Sequence, residues 1–314
     1  MGALWRSYSS EDPKGPEAMS RVHVEKVAVA IVYLASSVVT TVVNKYAMSV
    51  LGTQAPFMFL ASQSAIISAM MVGCRALGIL RFRLGGAMVF YRWLPLSTCL
   101  ALMIYTGSRG VEYLPVSTFT VLKNGTIVLN AVAEKHLFGK GIAPWSWVSF
   151  ALMFASSYMG DASEFDVSVF GYVWMALNIV STSLYVLLMK MHIEHGKSRA
   201  APVFYCNLLS LPQLVLCSLA FDYRSGGLGN VDGRLAAATV ASGVSAFLTS
   251  HATAWCLSLL STTSLSMLGA LNKLIVSFSG IFFIGERNIG PAKLASLMVG
   301  FVAGLMYSAS AGSG

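Results

Sequence analysis

Ten apolar runs, most of them 16–24 residues long, divide this chain and leave little polar sequence between them. They are Val27–Asn44, Phe57–Cys74, Trp93–Thr106, Leu114–Ala133, Trp145–Gly160, Phe170–Met189, Pro202–Phe221, Leu235–Leu257, Ser261–Ile284 and Ala292–Ser310. A helix of about 20 residues crosses a hydrocarbon core of about 30 Å, and within lipid each crossing segment must satisfy its own backbone hydrogen bonds. The runs therefore predict an all-α polytopic membrane protein with ten transmembrane helices. Composition agrees: 11% of the 314 residues are charged, against about 25% in a soluble domain. The third run is cut short by Arg109 and Glu112, and several runs are short enough to suit a thin bilayer.

Orientation follows from the cations flanking the runs. Thirteen Lys and Arg residues lie on the N-terminal tail and the even-numbered connections, against six on the odd-numbered ones. The excess predicts that both termini face the cytosol. Residues 1–26 are polar, contain Pro13, Gly15 and Pro16, and read as a disordered cytosolic tail; residues 311–314 form a short C-terminal tail on the same side. Glu11, Asp12 and Glu17 argue against an organellar transit peptide, and Arg6 breaks the myristoylation pattern. The connection carrying Asp161, Glu164 and Asp166 holds no cation and falls on the far side.

Other chemistries find little support. The net charge of +8 is spread over short loops, so nucleic acid is not a partner. Cys74, Cys99, Cys206, Cys217 and Cys256 have no metal-ligand spacing, and His192, Glu194 and His195 read as a solvated loop. No nucleophile–base pattern is present, so the chain is read as a non-enzyme without metal or cofactor. Asn124-Gly125-Thr126 matches a glycosylation acceptor but lies inside a span, out of reach.

Two cations remain, and both fall inside spans. Lys123 follows Thr118-Phe119-Thr120-Val121-Leu122 and precedes Asn124-Gly125; Lys273 follows Gly269-Ala270-Leu271-Asn272. Each run ends in an acid–base pair, Glu134-Lys135 and Glu286-Arg287, followed by glycine and proline. The pattern reads as two five-helix repeats, 27–160 and 161–310. Because five is odd, the second is inverted relative to the first, which places substrate at the repeat interface near mid-membrane and supports alternating access. A charged group within a span costs of order 2.5–3.5 kcal/mol and marks a substrate path or a buried pair. Two lysines with two neighbouring asparagines describe a polyanion pocket, and phosphate is the natural guest. Polar residues that fit the lining of such a cavity recur on the first helix from Tyr33 to Asn44, early in the seventh at Tyr205, Asn207 and Ser210, and in the eighth at Ser250, His251 and Thr253. Gly300 and Gly304 permit close packing within the fold or between two protomers of a homodimer.

These residues carry a resemblance. Gly269-Ala270-Leu271-Asn272-Lys273, preceded by Ser261-Thr262-Thr263, resembles the GALNK signature of the nucleotide-sugar transporter family, in its GDP-mannose branch. Phe204-Tyr205-Cys206-Asn207 is similar to the companion FYNN motif, with Cys206 in place of the first asparagine. Asn44-Lys45 and Lys123-Asn124 also match at the expected places, and the likeness covers residues 27–310. It implies exchange of cytosolic GDP-sugar, GDP-mannose first, for lumenal GMP across the Golgi membrane. It further implies that Asn207, with Cys206, reads guanine, that Lys273 engages phosphate, and that Gly269 lets the sugar approach the backbone. Tyr33 and Ser250 match further binding positions. The family's sugar-pocket tyrosine is replaced by Leu265, so the sugar is less defined than the nucleotide. The candidate binding set is thus Tyr33, Asn44, Lys123, Asn124, Tyr205, Cys206, Asn207, Ser250, Leu265, Gly269, Asn272 and Lys273. Two alternatives share parts of this pattern: an organic-phosphate antiporter of the plastid sugar-phosphate type, and a membrane-embedded transferase using Asp161, Glu164 and Asp166.

Overall fold

A computed structural model describes residues 16–50, 55–82, 85, 87–114, 116–139, 141–161, 169–195, 198–222, 233–284 and 291–311. No strand occurs among them. The helices are α1 (Pro16–Lys45), α2 (Pro56–Ala76), α3 (Ala87–Tyr113), α4 (Val116–Lys123), α5 (Gly125–Phe138), α6 (Pro144–Asp161), α7 (Val169–His195), α8 (Ala200–Cys217), α9 (Gly233–Leu259), α10 (Thr262–Ile284) and α11 (Pro291–Ala311). Short π-helical turns at Tyr46–Val50 and Ser218–Asp222 prolong α1 and α8. Five segments, Val24–Met48, Pro56–Ala76, Val169–His195, Ala200–Asp222 and Gly233–Leu259, are long and apolar enough to cross a membrane. The chain is a multi-pass membrane protein.

The eleven helices correspond to the ten expected spans, because the fourth is parted at Asn124. There the ladder tightens: Asn124 N donates to Val121 O at 3.1 Å and Ile127 N to Asn124 O at 2.9 Å. Such a three-residue step in mid-helix is a common mark of a hinge.

Three boundaries differ from the sequence reading. Pro16–Lys26, expected to be disordered, is helical, since Pro16 suits a first helical position and no glycine or proline follows before Gly52. α3 runs on through Arg109 and Glu112, which pair with each other at 2.6 Å, one helical turn apart. α7 likewise continues through His192 to His195, so these residues occupy a helix end and not a loop. His192 there packs its ring against Trp93 at a tilt, with 4.5 Å between ring centroids. Residues 1–15 and the acidic connection at Glu164 and Asp166 lie outside the described residues, as does the Glu286-Arg287 pair.

The helices pack in antiparallel pairs: α1 with α9, α2 with α8, α3 with α7, α5 with α10 and α6 with α11. Direction is read from their contacts. On α1, Cys256 of α9 approaches Val29 O, and Thr40, farther on, meets Thr249, which is earlier on α9. Phe150 and Ser156 of α6 meet Tyr307 and Ser296 of α11. A large apolar cluster centred on Met71, Leu96, Val203 and Leu257 joins α1, α2, α3, α7, α8, α9 and the start of α10, and a smaller one joins α5, α6, α10 and α11. Gly304 is used within the fold: a Cβ there would meet Leu271 Cδ2 of α10 at 2.7 Å. Val27, Ile31, Phe170 and Leu216 face outward, as lipid contact requires.

Buried charge is spent on helix ends. Asp222 Oδ2 accepts from Met58 N in the first turn of α2 at 2.9 Å. Glu134 does the same for α10, and Lys190 donates to Leu260 O, just past α9, at 2.7 Å. Lys190, expected in a cytosolic loop, is buried because it has this carbonyl to bind.

Candidate functional site

A cavity of about 300 Å³ opens among α1, α3, α4, α5, α7, α9 and α10. Six of the twelve candidate residues line it: Tyr33, Lys123, Asn124, Ser250, Leu265 and Gly269. They come from α1, the α4–α5 junction, α9 and α10, so residues far apart in sequence face one volume. The wall is completed by Met103, Thr126, Ile127, Thr182, Tyr185, Val186, Thr249, Thr253, Ser266 and Ala270. Among the described residues no carboxylate lines it. The buried carboxylates among the described residues, Glu134 and Asp222, cap helix N-termini elsewhere.

Lys123 ends α4 because Asn124 and Gly125 interrupt the span one residue later. Its Nζ donates to Asn178 Oδ1 and, at 2.8 Å, to Thr182 Oγ1, both on α7. Neither acceptor carries charge, so these two bonds orient the ammonium without neutralising it. Asn178 is fixed in turn, donating to Met103 O at 2.7 Å and Thr106 Oγ1 at 3.1 Å on α3. Asn124 reaches the lining, but its amide donates to Met153 O of α6 at 3.4 Å. Gly269 lies beneath the Tyr33 phenol, and a Cβ at that position would sit 3.6 Å from Tyr33 Oη. The glycine thus leaves a strip of α10 backbone open toward α1.

The other candidates have different surroundings. Asn44 Oδ1 accepts from Gln63 Nε2 at 2.7 Å and from Ser242 Oγ, joining α1, α2 and α9 away from the cavity. Asn272 Nδ2 donates to Ser37 Oγ at 2.8 Å and ties α10 to α1, while its Oδ1 is buried without a hydrogen-bond partner. Lys273 is on α10, one turn past Gly269, but its side chain lies outside the described residues.

The segment expected to read guanine is packed into the bundle. Tyr205 stacks on Trp93 with centroids 5.4 Å apart, and its hydroxyl accepts from Gly85 N at 2.8 Å. Cys206 Sγ approaches Leu96 O at 3.9 Å, and Asn207 donates to Val203 O of its own helix at 2.8 Å. None of the three lines the cavity. The reason is local: α8 presents this face to the aromatic cluster of α3, where apolar burial outweighs exposure of one amide.

Sequence reasoning also overestimated the polar stripe on α1. Ser36, Thr40 and Thr41 return their hydroxyls to carbonyls one turn back on the same helix, and of that stripe Tyr33 alone lines the cavity. His251, expected at the lining, turns to Phe247 instead, with centroids 5.3 Å apart. Conversely, α7 was missed. Asn178, Thr182 and Tyr185 form a polar stripe at helical spacing within a largely apolar stretch of α7, and that spacing was the available signal. No metal-holding group of His, Cys, Asp or Glu occurs among the described residues.

No family model matches the chain. Among known proteins it is 33% identical over 301 residues to a GDP-mannose transporter of Coccidioides immitis, covering 88% of this chain and 78% of that one. A GDP-mannose transporter of Scheffersomyces stipitis is 34% identical over 293 residues, covering 88% and 89%. GDP-mannose transporter 1 of Cryptococcus neoformans is 35% identical over 310 residues, covering 88% and 78%. A protein crystal structure superposes with a TM-score of 0.71 over 90% of this chain and 98% of its own, at 15% identity, which is a likeness of fold alone.

Proposed function

The chain belongs to the nucleotide-sugar transporter family, beside relatives named as GDP-mannose transporters and not as enzymes, and from that membership we propose that it carries GDP-mannose across the Golgi membrane in exchange for GMP. The observation that carries this reading is the shared cavity. It brings the Lys123 ammonium, the Tyr33 phenol, the Ser250 hydroxyl and the open backbone at Gly269 around one volume lined, among the described residues, by no carboxylate. A diphosphate suits the cationic side, where charge-assisted hydrogen bonds are about twice as strong as neutral ones. In this proposal Lys273 joins Lys123 in neutralising the two phosphates, and Asn207 is the residue that reads guanine.

Transport works by alternating access between two five-helix halves, 27–160 and 161–310. The helix pairing supports this. Advancing every span by five positions turns the α1–α9 pair into the α7–α3 pair, and returns the pairs α2–α8, α5–α10 and α6–α11 to themselves. An inverted repeat has that property, and it leaves the substrate at the central interface of spans four and nine. GMP bears less ligand for the site to hold than GDP-mannose, and its exit down its own gradient drives uptake. The cation excess on the tail and even-numbered connections supports cytosolic termini.

Reconstitution tests the function. Liposomes containing the protein and preloaded with GMP are expected to accumulate labelled GDP-mannose, and empty liposomes to accumulate little. Equal uptake without internal GMP overturns exchange. Competition by triose phosphate but not by unlabelled GDP-mannose overturns the nucleotide-sugar assignment.

A further inference from the structure

We infer that Tyr185 is a specificity-determining residue that hydrogen-bonds the sugar of the transported nucleotide-sugar. The inference rests on the reading above, in which the phosphates lie at Lys123.

The cavity is built in two tiers, and their order follows from contacts at one end of the bundle. Lys190 of α7 donates to Leu260 O at the start of the turn into α10. Tyr185 lies five residues before Lys190, and Leu265 lies five residues after Leu260. Because the two helices run in opposite directions there, Tyr185 and Leu265 stand at one level. Tyr33 and Tyr185 both pack against the apolar cluster to which Leu265 belongs. Lys123 instead meets α7 at Asn178 and Thr182, which precede Tyr185 by seven and three residues. At a rise of about 1.5 Å per residue, that contact spans about 4–10 Å from the tyrosine level.

The two tiers differ in chemistry. The lysine tier is cationic. The tyrosine tier combines two phenols with one aliphatic side chain and carries no charged group among the described residues of its wall. A ligand whose phosphates sit on Lys123 therefore presents an uncharged portion to Tyr33, Tyr185 and Leu265. Phenolic O–H groups rotate freely and both donate and accept, which suits ring hydroxyls of varied direction. Leu265 and the tyrosine rings offer apolar faces to the C–H side of a sugar ring. A purine edge instead calls for carboxamides at fixed angles. The nearby carboxamides are committed: Asn178 to Met103 O and Thr106 Oγ1, and Asn124 to Met153 O. Tyr185 thus supplies a phenol at the level where α10 offers only Leu265.

The test is Tyr185→Phe, which keeps the ring and removes one hydroxyl. In GMP-loaded liposomes the half-saturating GDP-mannose concentration is expected to rise about fivefold, while inhibition by external GMP, which has no mannosyl group, stays as in the wild type. Equal weakening of both ligands overturns the assignment, because the hydroxyl then acts on the nucleotide or on packing. No change in either ligand overturns it as well. Wild-type protein that fails to exchange GDP-mannose at all overturns the parent function and this inference with it; normal wild-type exchange with an unselective Tyr185→Phe variant overturns the Tyr185 role alone. A second variant, Leu265→Tyr on the Tyr185→Phe background, restores a phenol to the same level and is expected to recover part of the lost affinity for GDP-mannose. Failure to recover any of it counts against the shared level.

Discussion

Glu134, near the end of α5, caps α10 from another part of the chain: one carboxylate oxygen accepts from Thr262 N at 2.7 Å. The other accepts from Thr263 Oγ1 at 2.6 Å and Thr263 N at 3.2 Å. The first amides of a helix have no partner within it, and they carry the positive end of its dipole. Lys190 meets the opposite need one residue-pair earlier, binding Leu260 O beside Glu194, which is 3.6 Å away. The turn between α9 and α10 is therefore held by an acid at the start of one helix and a base at the end of the other.

Removing the cap exposes its worth. Glu134→Ala leaves two buried amides unpaired and is expected to destabilise the protein by about 1–3 kcal/mol. Glu134→Gln keeps an acceptor for Thr262 N but sets an NH₂ group against Thr263, and should fall between alanine and wild type. Thermal unfolding of the detergent-solubilised protein, followed by size-exclusion chromatography, checks the order. Equal midpoints for all three would mean that the contact contributes nothing to stability.

Lys123 is expected to govern transport more than folding. Lys123→Met preserves length and removes the charge, and GDP-mannose uptake should fall about 10–100-fold, as loss of a charge-assisted phosphate contact predicts. Lys123→Arg should rescue only part of this, because a planar guanidinium does not reproduce a point donor set between Asn178 and Thr182. Lys273→Ala should likewise abolish uptake in protein that still folds. The check is liposome uptake beside a chromatographic monodispersity profile for each variant.

Two glycines on neighbouring helices separate ligand space from packing space. At Gly269 a methyl group would sit in ordinary contact with Tyr33 Oη at 3.6 Å, so Gly269→Ala should fold normally and lose uptake where the ligand needs that strip. At Gly304 a methyl would meet Leu271 Cδ2 at 2.7 Å, so Gly304→Ala should destabilise by about 1–3 kcal/mol through overpacking. Thermal midpoints and uptake rates measured together distinguish the two patterns.

Cys206 gives a prediction opposite in sense to the motif. Completing the asparagine pair with Cys206→Asn puts an amide among Leu96, Val203 and Tyr205 in an apolar cluster. An unsatisfied buried amide costs about 1–3 kcal/mol, so the midpoint should fall, whereas Cys206→Ala should change it less. A stabilised Cys206→Asn variant would mean that α8 turns this position toward polar surroundings.

Much of the fold was legible because lipid imposes one rule on every span. A run such as Phe170–Met189 must be helical, since no other conformation satisfies its backbone there. The candidate site was legible where a residue type is costly or special in place: Lys123 within a span, and Gly269, which lines the same cavity. Tyr185 was less legible, since one tyrosine in an apolar helix has many ordinary uses. The facing of Tyr205 and Cys206 was not legible at all, because it depends on which partner α8 meets, and α3 offers Trp93 and Phe90.

By itself, then, the sequence determined that the chain crosses a membrane many times and carries cations in that interior, because hydropathy and the cost of buried charge act segment by segment. Only the tertiary structure decided which residues share a cavity. Lys123, Tyr185, Ser250 and Gly269 come together through antiparallel packing of distant helices, and the direction each side chain faces is set by its neighbours, not by its position in the run.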